Sequence, residues 1–378
     1  AAPAFAGTYY IDDGDITITK NEDGSQTIEQ GGDKWTDKAG EETVITTSNT
    51  VITTLESDLE GPAAEDSDFG PVVEDNYQSA QPEDAEEPKD ADQPESAEEP
   101  KSSDRQESAD QQAAPAAAPA GATPVNPKDD GFWGNTITVI NNFADKVLNL
   151  TLKDVKIDVS DTDDKAALRV QGDGNVEIEL DGNNELKSGW HRAGLEKNAS
   201  EAEGTLTLKD ENKEAGSLTA KGGGSAAGIG GSYNGYHKNN GTKNIIITGG
   251  TVNATGGQCG AGIGGGSDGG GKNITISGGT VTAAGGNYGA GIGGGDYGSG
   301  EDITINGGTV TATGGFRGAG IGGGGSGGGG KNITINSGTV NATGGEDGAG
   351  IGGGHEGSGE HITINSGTVN ATGGEDGA

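Results

Sequence analysis

A unit of about 29 residues returns from Asn244 to the end of the chain, and this period constrains the fold more than any other feature. The Thr-Val pair begins at Thr251, Thr280, Thr309, Thr339 and Thr368, in steps of 29, 29, 30 and 29. The Ala-Gly-Ile-Gly-Gly block keeps the same beat, with its isoleucine at Ile229, Ile263, Ile292, Ile321 and Ile351. A period in the range of roughly 20–50 residues marks a solenoid or an array.

The unit Lys272–Gly295 shows what one repeat can build. It holds three short alternating runs separated by glycine pairs, and none has the spacing of an amphipathic helix. Strand residues point alternately to opposite faces, so Ile274 and Ile276 share one side while Asn273 and Thr275 share the other. By the same count Val281 and Ala283 face inward, Thr280 and Thr282 face outward, and Ala290 and Ile292 complete a third inward set. Three strands and three glycine corners make a triangular coil, and stacking such coils about 4.8 Å apart gives a parallel β-helix. Inward positions then form ladders: Ile245, Ile274, Ile303, Ile333 and Ile362; Ile247, Ile276, Ile305, Ile335 and Ile364; and Val252, Val281, Val310, Val340 and Val369. The expected fold is all-β, a right-handed parallel β-helix (solenoid) with a small N-terminal β cap.

The repeat has a less regular version upstream. Asn149–Asp154 resembles Thr205–Asp210, with Val176–Leu180 between them. Ala166-Ala167-Leu168, Arg192-Ala193-Gly194-Leu195 and Ala226-Ala227-Gly228-Ile229 read as successive copies of the third strand. These coils carry more charge and larger side chains, Trp190 among them, and are expected to form a well-packed base.

Composition then divides the chain into residues 1–55, a β cap or leader; 56–130, an acidic insertion rich in Pro, Glu and Ala; and 131–378, the repeat domain. The insertion is too polar to offset its ordering entropy and is expected to be disordered. The cap has strand-like runs at Ile16–Ile18, Val44–Thr47 and Val51–Thr54, with Tyr9, Tyr10 and Trp35 as bulk. It is expected to dock on the N-terminal end of the solenoid and protect its open edge. Ala378 falls inside a third strand, so the natural protein is expected to continue. Ala1–Ala6, together with the absence of methionine, fits the small-residue end of a removed secretion signal.

Charge and cysteine content narrow the function. With 23 basic against 59 acidic residues, the net charge of −36 excludes nucleic acid as a partner, since phosphates demand a basic footprint. No apolar run reaches the length of a membrane span, so membrane insertion is not expected. The single cysteine, Cys259, has no partner for an internal disulfide and reads as an inert thiol.

The segments Gly278–Gly286, Gly289–Gly295 and Val176–Lys187 resemble the repeats of large secreted surface proteins of Gram-positive bacteria described as carrying β-helical carbohydrate-binding domains. The resemblance spans roughly Asn135 to Ala378, and Thr8–Leu55 is similar to the leader before such repeats. It implies an extracellular, cell-surface, non-catalytic protein that adheres to polysaccharide. The family supplies no binding motif to carry over.

Variable positions within the repeats are the candidate site. Two dyads flank the third strand: Asn287-Tyr288 and Phe316-Arg317 before it, and Asp296-Tyr297 after it. Stacking should gather them into two ridges beside a flat glycine strip. Aromatic faces next to amides and acids suit sugar rings, so Asn287, Tyr288, Tyr297, Phe316 and Arg317 are the candidate ligand-binding residues. The competing reading is that these are solvated loop tips. The outward Thr-x-Thr pairs at Thr280 and Thr309 raise an ice-binding alternative, which Asn253, Asn341 and Asn370 interrupt. The series Lys272, Glu301, Lys331, Glu360 reads as support for register.

No metal or other cofactor is expected. Gly298–Asp302 breaks calcium-nonapeptide spacing at Ile303, and His355 and His361 lack further zinc ligands. Arg317 is the only arginine of the regular coils, with no aspartate cluster expected beside it, and no catalytic set can be assembled. The reading is therefore a monomeric, non-catalytic binder of polysaccharide or glycan. Its alternatives are a stalk projecting another domain and, third, a polysaccharide lyase or hydrolase.

Overall fold

Alternating aliphatic and polar residues generate three sheet faces in a computed structural model, which describes residues 5–47, 131–212, 214–233, 235 and 240–377. The chain is all-β, a parallel β-solenoid. Among the described residues the sole helix is the three-residue turn Ile11–Asp13.

The isoleucine face contains Thr242–Ile247, Gly271–Ile276 and Gly300–Ile305, paired so that Ile245 meets Ile274 and Ile274 meets Ile303. It continues toward the N-terminus through Leu206–Lys209, residues 175–181, Val147–Lys153 and Glu42–Thr46 to Phe5–Tyr10. The threonine face stacks Thr251–Thr255, Thr280–Ala284, Thr309–Thr313, Thr339–Thr343 and Thr368–Thr372 without a slip. The glycine face stacks the two-residue strands at Ile229, Ile263, Ile292, Ile321 and Ile351 onto Leu195–Glu196, Leu168–Gln171, Ile137–Ile140 and Ile16–Lys20.

The predicted ladders line one continuous core: Ile274, Ile276, Val281, Ala283 and Ile292 are all buried, as are Leu168, Leu195, Leu206 and Leu208 upstream. Burying such aliphatic side chains is the main favourable term in the fold. In the last coil Ile362 and Ile364 are exposed.

The N-terminal piece builds the first rungs of this stack. Ile16 pairs with Ile137 and Val44 with Thr151, in the same parallel sense as every later coil. The cap proper is a pair of antiparallel strands, Gln26–Gln30 and Asp33–Asp37, folded back on Ile16–Lys20. Reversing strand direction and ending on the exposed residues Asp33–Thr36 blunts an edge that could otherwise recruit further strands. Behind this edge Tyr9 donates a hydrogen bond to the buried carboxylate of Asp37 (2.8 Å), and Trp35 packs across the Tyr9 ring at 5.6 Å. Glu42–Thr46 on the isoleucine face and Trp133, bridged to Ile157 on the threonine face, belong to one coil. The predicted insertion 56–130 and the strand Val51–Thr54, which fall between them, lie outside the described residues.

Two local expectations are corrected. Asn273 is not an ordinary outward strand residue: it has φ of 52°, and Asn244, Asp302, Asn332 and His361 share the left-handed conformation at this position. Asn, Asp and His tolerate that region better than other side-chain-bearing residues. The kink turns Lys272 and Asn273 both to solvent and leaves Ile274 pointing in. The alternating charges also do less than expected. Lys272 reaches Glu301 (3.3 Å), whereas Lys331 and Glu360 form no ion pair among the described residues.

Candidate functional site

Each glycine-rich coil crosses from the threonine face to the isoleucine face through an inward loop. In the coil of Ile292 the amide of Ala290 donates to the carbonyl of Gly294 (2.9 Å), so the chain dives into the solenoid and returns beside itself. A turn at each mouth of the loop is closed by Gly289 N to Gly286 O (2.9 Å) and by Gly298 N to Gly295 O (2.8 Å). Residues 289–295 are buried. The flat exposed glycine strip expected between two ridges therefore does not exist. Glycine carries no side chain to show its facing, and here it packs backbone on backbone in the interior.

With the strip withdrawn, the two ridges touch. Asp296 N donates to Cys259 O (2.8 Å) and His355 N to Arg317 O (2.9 Å), joining the second turn of one coil to the first turn of its neighbour. Within the first turns the columns are equally strict. Cys259 N donates to Gly224 O (3.0 Å), Tyr288 N to Gln258 O (3.0 Å), Arg317 N to Asn287 O (2.9 Å) and Asp347 N to Phe316 O (3.0 Å). Ser225 N bonds Trp190 O (3.2 Å) by the same rule, which carries the outer column back through Gly224 to Trp190.

This geometry sorts the predicted residues. Asn287 and Phe316 are neighbours in the outer column, both exposed, Phe316 to 48%. Tyr288 and Arg317 are neighbours in the next column, half-buried, with the guanidinium carbon 5.7 Å from the ring centroid. Arg317 Nε also stands 3.7 Å from Asp347 Oδ2, and His355 Nε2 lies 4.0 Å from the same oxygen. A single aspartate stands beside Arg317, and the cation is held within the ridge. Tyr297 is not brought to this group. At 65% exposure and with φ of 59°, it lines a separate depression of about 360 Å³ with Lys243, Lys272 and Glu301.

Electrostatics quiet the middle of the ridge. Burial pushes the Asp296 carboxyl above its ordinary range, against hydrogen bonds from Ser326 and Tyr297, and the nearby Asp268 adds to the rise. Burial likewise raises the Cys259 thiol, helped by Asp296 and Asp268, which holds it in the unreactive form. His355 faces this ridge, whereas His361 sits at the exposed kink before the isoleucine strand. Among the described residues no three His, Cys, Asp or Glu side chains gather as metal ligands. No helix among them is long and apolar enough to cross a membrane.

A further candidate binding feature lies at the N-terminal end of the outer column. Trp190, expected to pack the base of the solenoid, is 53% exposed. A Cβ added at Gly224 would stand 2.7 Å from Cε2 and Cζ2 of the indole, so the absent side chain is what lets the ring lie against the next rung. The ring borders a cleft of about 430 Å³, floored by Gly222, Gly223, Gly224 and Gly257 and edged by Ser160, Lys187, Ser188, Lys221 and Gln258. Part of this edge is already engaged. Ser188 Oγ accepts the amide of Ala167 (2.8 Å), and Ser160 Oγ donates to Asp158 Oδ1 (2.5 Å). Trp190, Lys221 and Gln258 remain open to a ligand.

A family comparison places the coils built on this plan. Residues 245–267, 274–296, 303–330, 333–355 and 362–378 match the beta helix repeat family. The glycine-rich coils form a β-helical repeat region. No curated protein and no solved structure matches the chain.

The matched repeats begin after Trp190, a residue expected in the packed base rather than on the ridge. Arg192–Leu195 aligns with the third strand, but the two residues before it, Trp190-His191, occupy the same turn as Asn287-Tyr288. Extending the alignment backward by those two positions would have placed the tryptophan in the candidate column.

Proposed function

We propose that this chain is a non-catalytic extracellular surface protein that binds polysaccharide or glycan along the turn ridge, with Trp190 as its principal platform. The observation that carries this reading is the half-exposed indole resting on Gly224 at the edge of a glycine-floored cleft. Pyranose rings present apolar C–H faces that stack on aromatics, and their hydroxyls take hydrogen bonds from amides and ammonium groups placed at the rim. Phe316 in the outer column and the Tyr288–Arg317 pair in the next repeat this chemistry further along the ridge, so a chain of sugars can engage several weak positions at once.

The test is retention of the full chain on insoluble polysaccharides and mucin-type glycans. Losing the stacking surface in Trp190→Ala should weaken binding about tenfold to a hundredfold, the equivalent of roughly 1.5–3 kcal/mol of buried aromatic side chain. Tyr288→Ala should cost less, because its ring is shared with Arg317. No reducing ends or unsaturated products should appear on prolonged incubation. Unchanged retention in Trp190→Ala would remove the platform. Absence of retention on every glycan, from protein shown folded by circular dichroism, would favour a stalk instead.

A further inference from the structure

We infer that the sugar unit held at Trp190 carries a single negative charge, as a uronic acid does. This rests on the glycan reading above and narrows it to a ligand class. The cleft is lined by two charged side chains, Lys187 and Lys221, and by no acid. In a chain with 23 basic and 59 acidic residues, the lining of the aromatic shelf thus carries two cations, one of them paired with Asp158 just outside the cleft.

The two lysines are register partners on adjacent rungs, which sets their backbones about 4.8 Å apart. Like charges directly opposite in a ladder repel, so each needs compensation. Lys187 has it: its ammonium lies 3.3 Å from Asp158 Oδ2 and 3.6 Å from the centroid of the Phe132 ring. Asp158 is engaged elsewhere: its other oxygen accepts the backbone amide and hydroxyl of Ser160 (3.0 and 2.5 Å), and no ion pair joins it to Lys221 among the described residues. On the far side, Lys221 pairs in register with Thr255, which carries no charge. Lys221 is exposed and forms no ion pair among the described residues.

An indole, an ammonium with no ion pair among the described residues and the Gln258 amide lining one cleft match a pyranose carrying one carboxylate. The C–H face of the ring stacks on Trp190, the carboxylate meets Lys221, and a hydroxyl bonds Gln258. A neutral sugar would leave the Lys221 ammonium without a counter-charge.

The experiment uses the full chain and matched pairs of polysaccharides: glucuronan, galacturonan and mannuronan, each beside its carboxyl-reduced neutral counterpart. At least one acidic member should be retained about tenfold better than its reduced form, which is the scale of one exposed charge-assisted contact. That preference should fade between roughly 0.05 and 0.5 M salt as screening sets in. Lys221→Gln should bring the two members of that pair to equal retention, whereas Trp190→Ala should weaken both. If the reduced forms bind as well as the acidic ones and Lys221→Gln changes nothing, the charge inference fails and glycan binding stands. If folded protein retains neither member of any pair, the charge inference fails, and glycan binding falls with it only when the insoluble polysaccharides and mucin-type glycans are not retained either.

Discussion

The same register position is filled in opposite ways at the two ends of the solenoid. In the charged coils it holds Glu196; one rung later it becomes Gly230, then Gly264, Gly293, Gly322 and Gly352. Glu196 is fully buried and threaded into a network. Its Oε2 accepts the Ser232 hydroxyl (2.6 Å), its Oε1 accepts the Asn198 amide (3.0 Å), and Arg169 and Arg192 stand 3.2 and 3.3 Å away. Burial still raises its carboxyl above the ordinary range, because the arginines and Ser232 only partly offset the loss of water. The glycines that follow use φ between 130° and 147°, and at Gly230, Gly264, Gly293 and Gly322 the carbonyl of the next rung stands where a side chain would begin. Side chains fill this corner of the charged coils, and backbone fills it in the repeats. Repeats filled with backbone can be copied without new side-chain complementarity, which is why the period becomes clean only after Asn244.

The largest expected effect breaks the glycine solution. A Cβ at Gly293 would stand 2.0 Å from the carbonyl oxygen of Gly322, at a φ of 134° that side-chain-bearing residues rarely adopt. Gly293→Ala should cost about 3 kcal/mol or more, combining backbone strain with a clash that only rung separation can relieve. Because each coil contacts mainly its neighbours, the damage should remain local. Hydrogen exchange should rise across residues 263–352 while amides of 147–209 keep their protection. Equal loss of protection in both regions would mean that the two halves unfold as one unit and that the contrast has no energetic meaning.

The second prediction concerns the charged half. Lys197 is buried beside Glu196, its ammonium donating to the carbonyls of Ala202 (2.9 Å) and Lys243 (2.7 Å). Burial, with the charge of Lys243 adding, lowers its pKa to about 8. Between pH 8 and the ordinary 10.5 the unfolded chain holds a proton that the folded chain has released, so stability from this group rises with pH. It is present above 10.5 and lost as pH falls through 8. Urea denaturation of wild type and Lys197→Met should diverge over this window, wild type gaining on the order of 3 kcal/mol at most. A difference that stays flat from pH 7 to 10.5 would show that the amine is not desolvated as its carbonyl partners require.

How much of this was legible in the sequence follows from the same contrast. The ladders through Ile274, Ile276 and Val281 were readable because β-branched residues alternate with Thr, and period two reports facing directly. The Lys272-Asn273 doublet even carries the trace of the kink, since strict alternation would have turned Lys272 inward. Glycine reports no facing, so the buried run 289–295 read as an exposed strip. Trp190 misled in the other direction: bulk suggests core, but an indole also serves at a surface that is half apolar and half wet. Glu196 and Lys197 gave no sign of burial, because their partners Arg169, Ser232 and Lys243 are near only once the coils are stacked.

The smallest effect separates amide ladders from ion pairs on the outer surface. In the repeats Asn336 donates to Asn306 Oδ1 (2.8 Å) and accepts from Asn365 (2.7 Å), a column in which each amide both gives and receives. Asn370 on Asn341 (2.8 Å) and Asn273 on Asn244 (2.7 Å) form the same contact elsewhere. Neutral amides in a column do not repel and polarise one another in sequence, whereas an exposed ion pair is screened by water and salt. Asn336→Ala should therefore lower the stability of the repeat region by about 1 kcal/mol, with two hydrogen bonds lost at a partly exposed site. Lys272→Ala, which removes the Glu301 and Asp302 contacts on the neighbouring corner, should leave the unfolding midpoint unchanged within error. Measuring both at low and high salt decides the point. If the lysine variant proves the more damaging, and only at low salt, then charge alternation sets the register of these coils and the asparagine columns merely follow it.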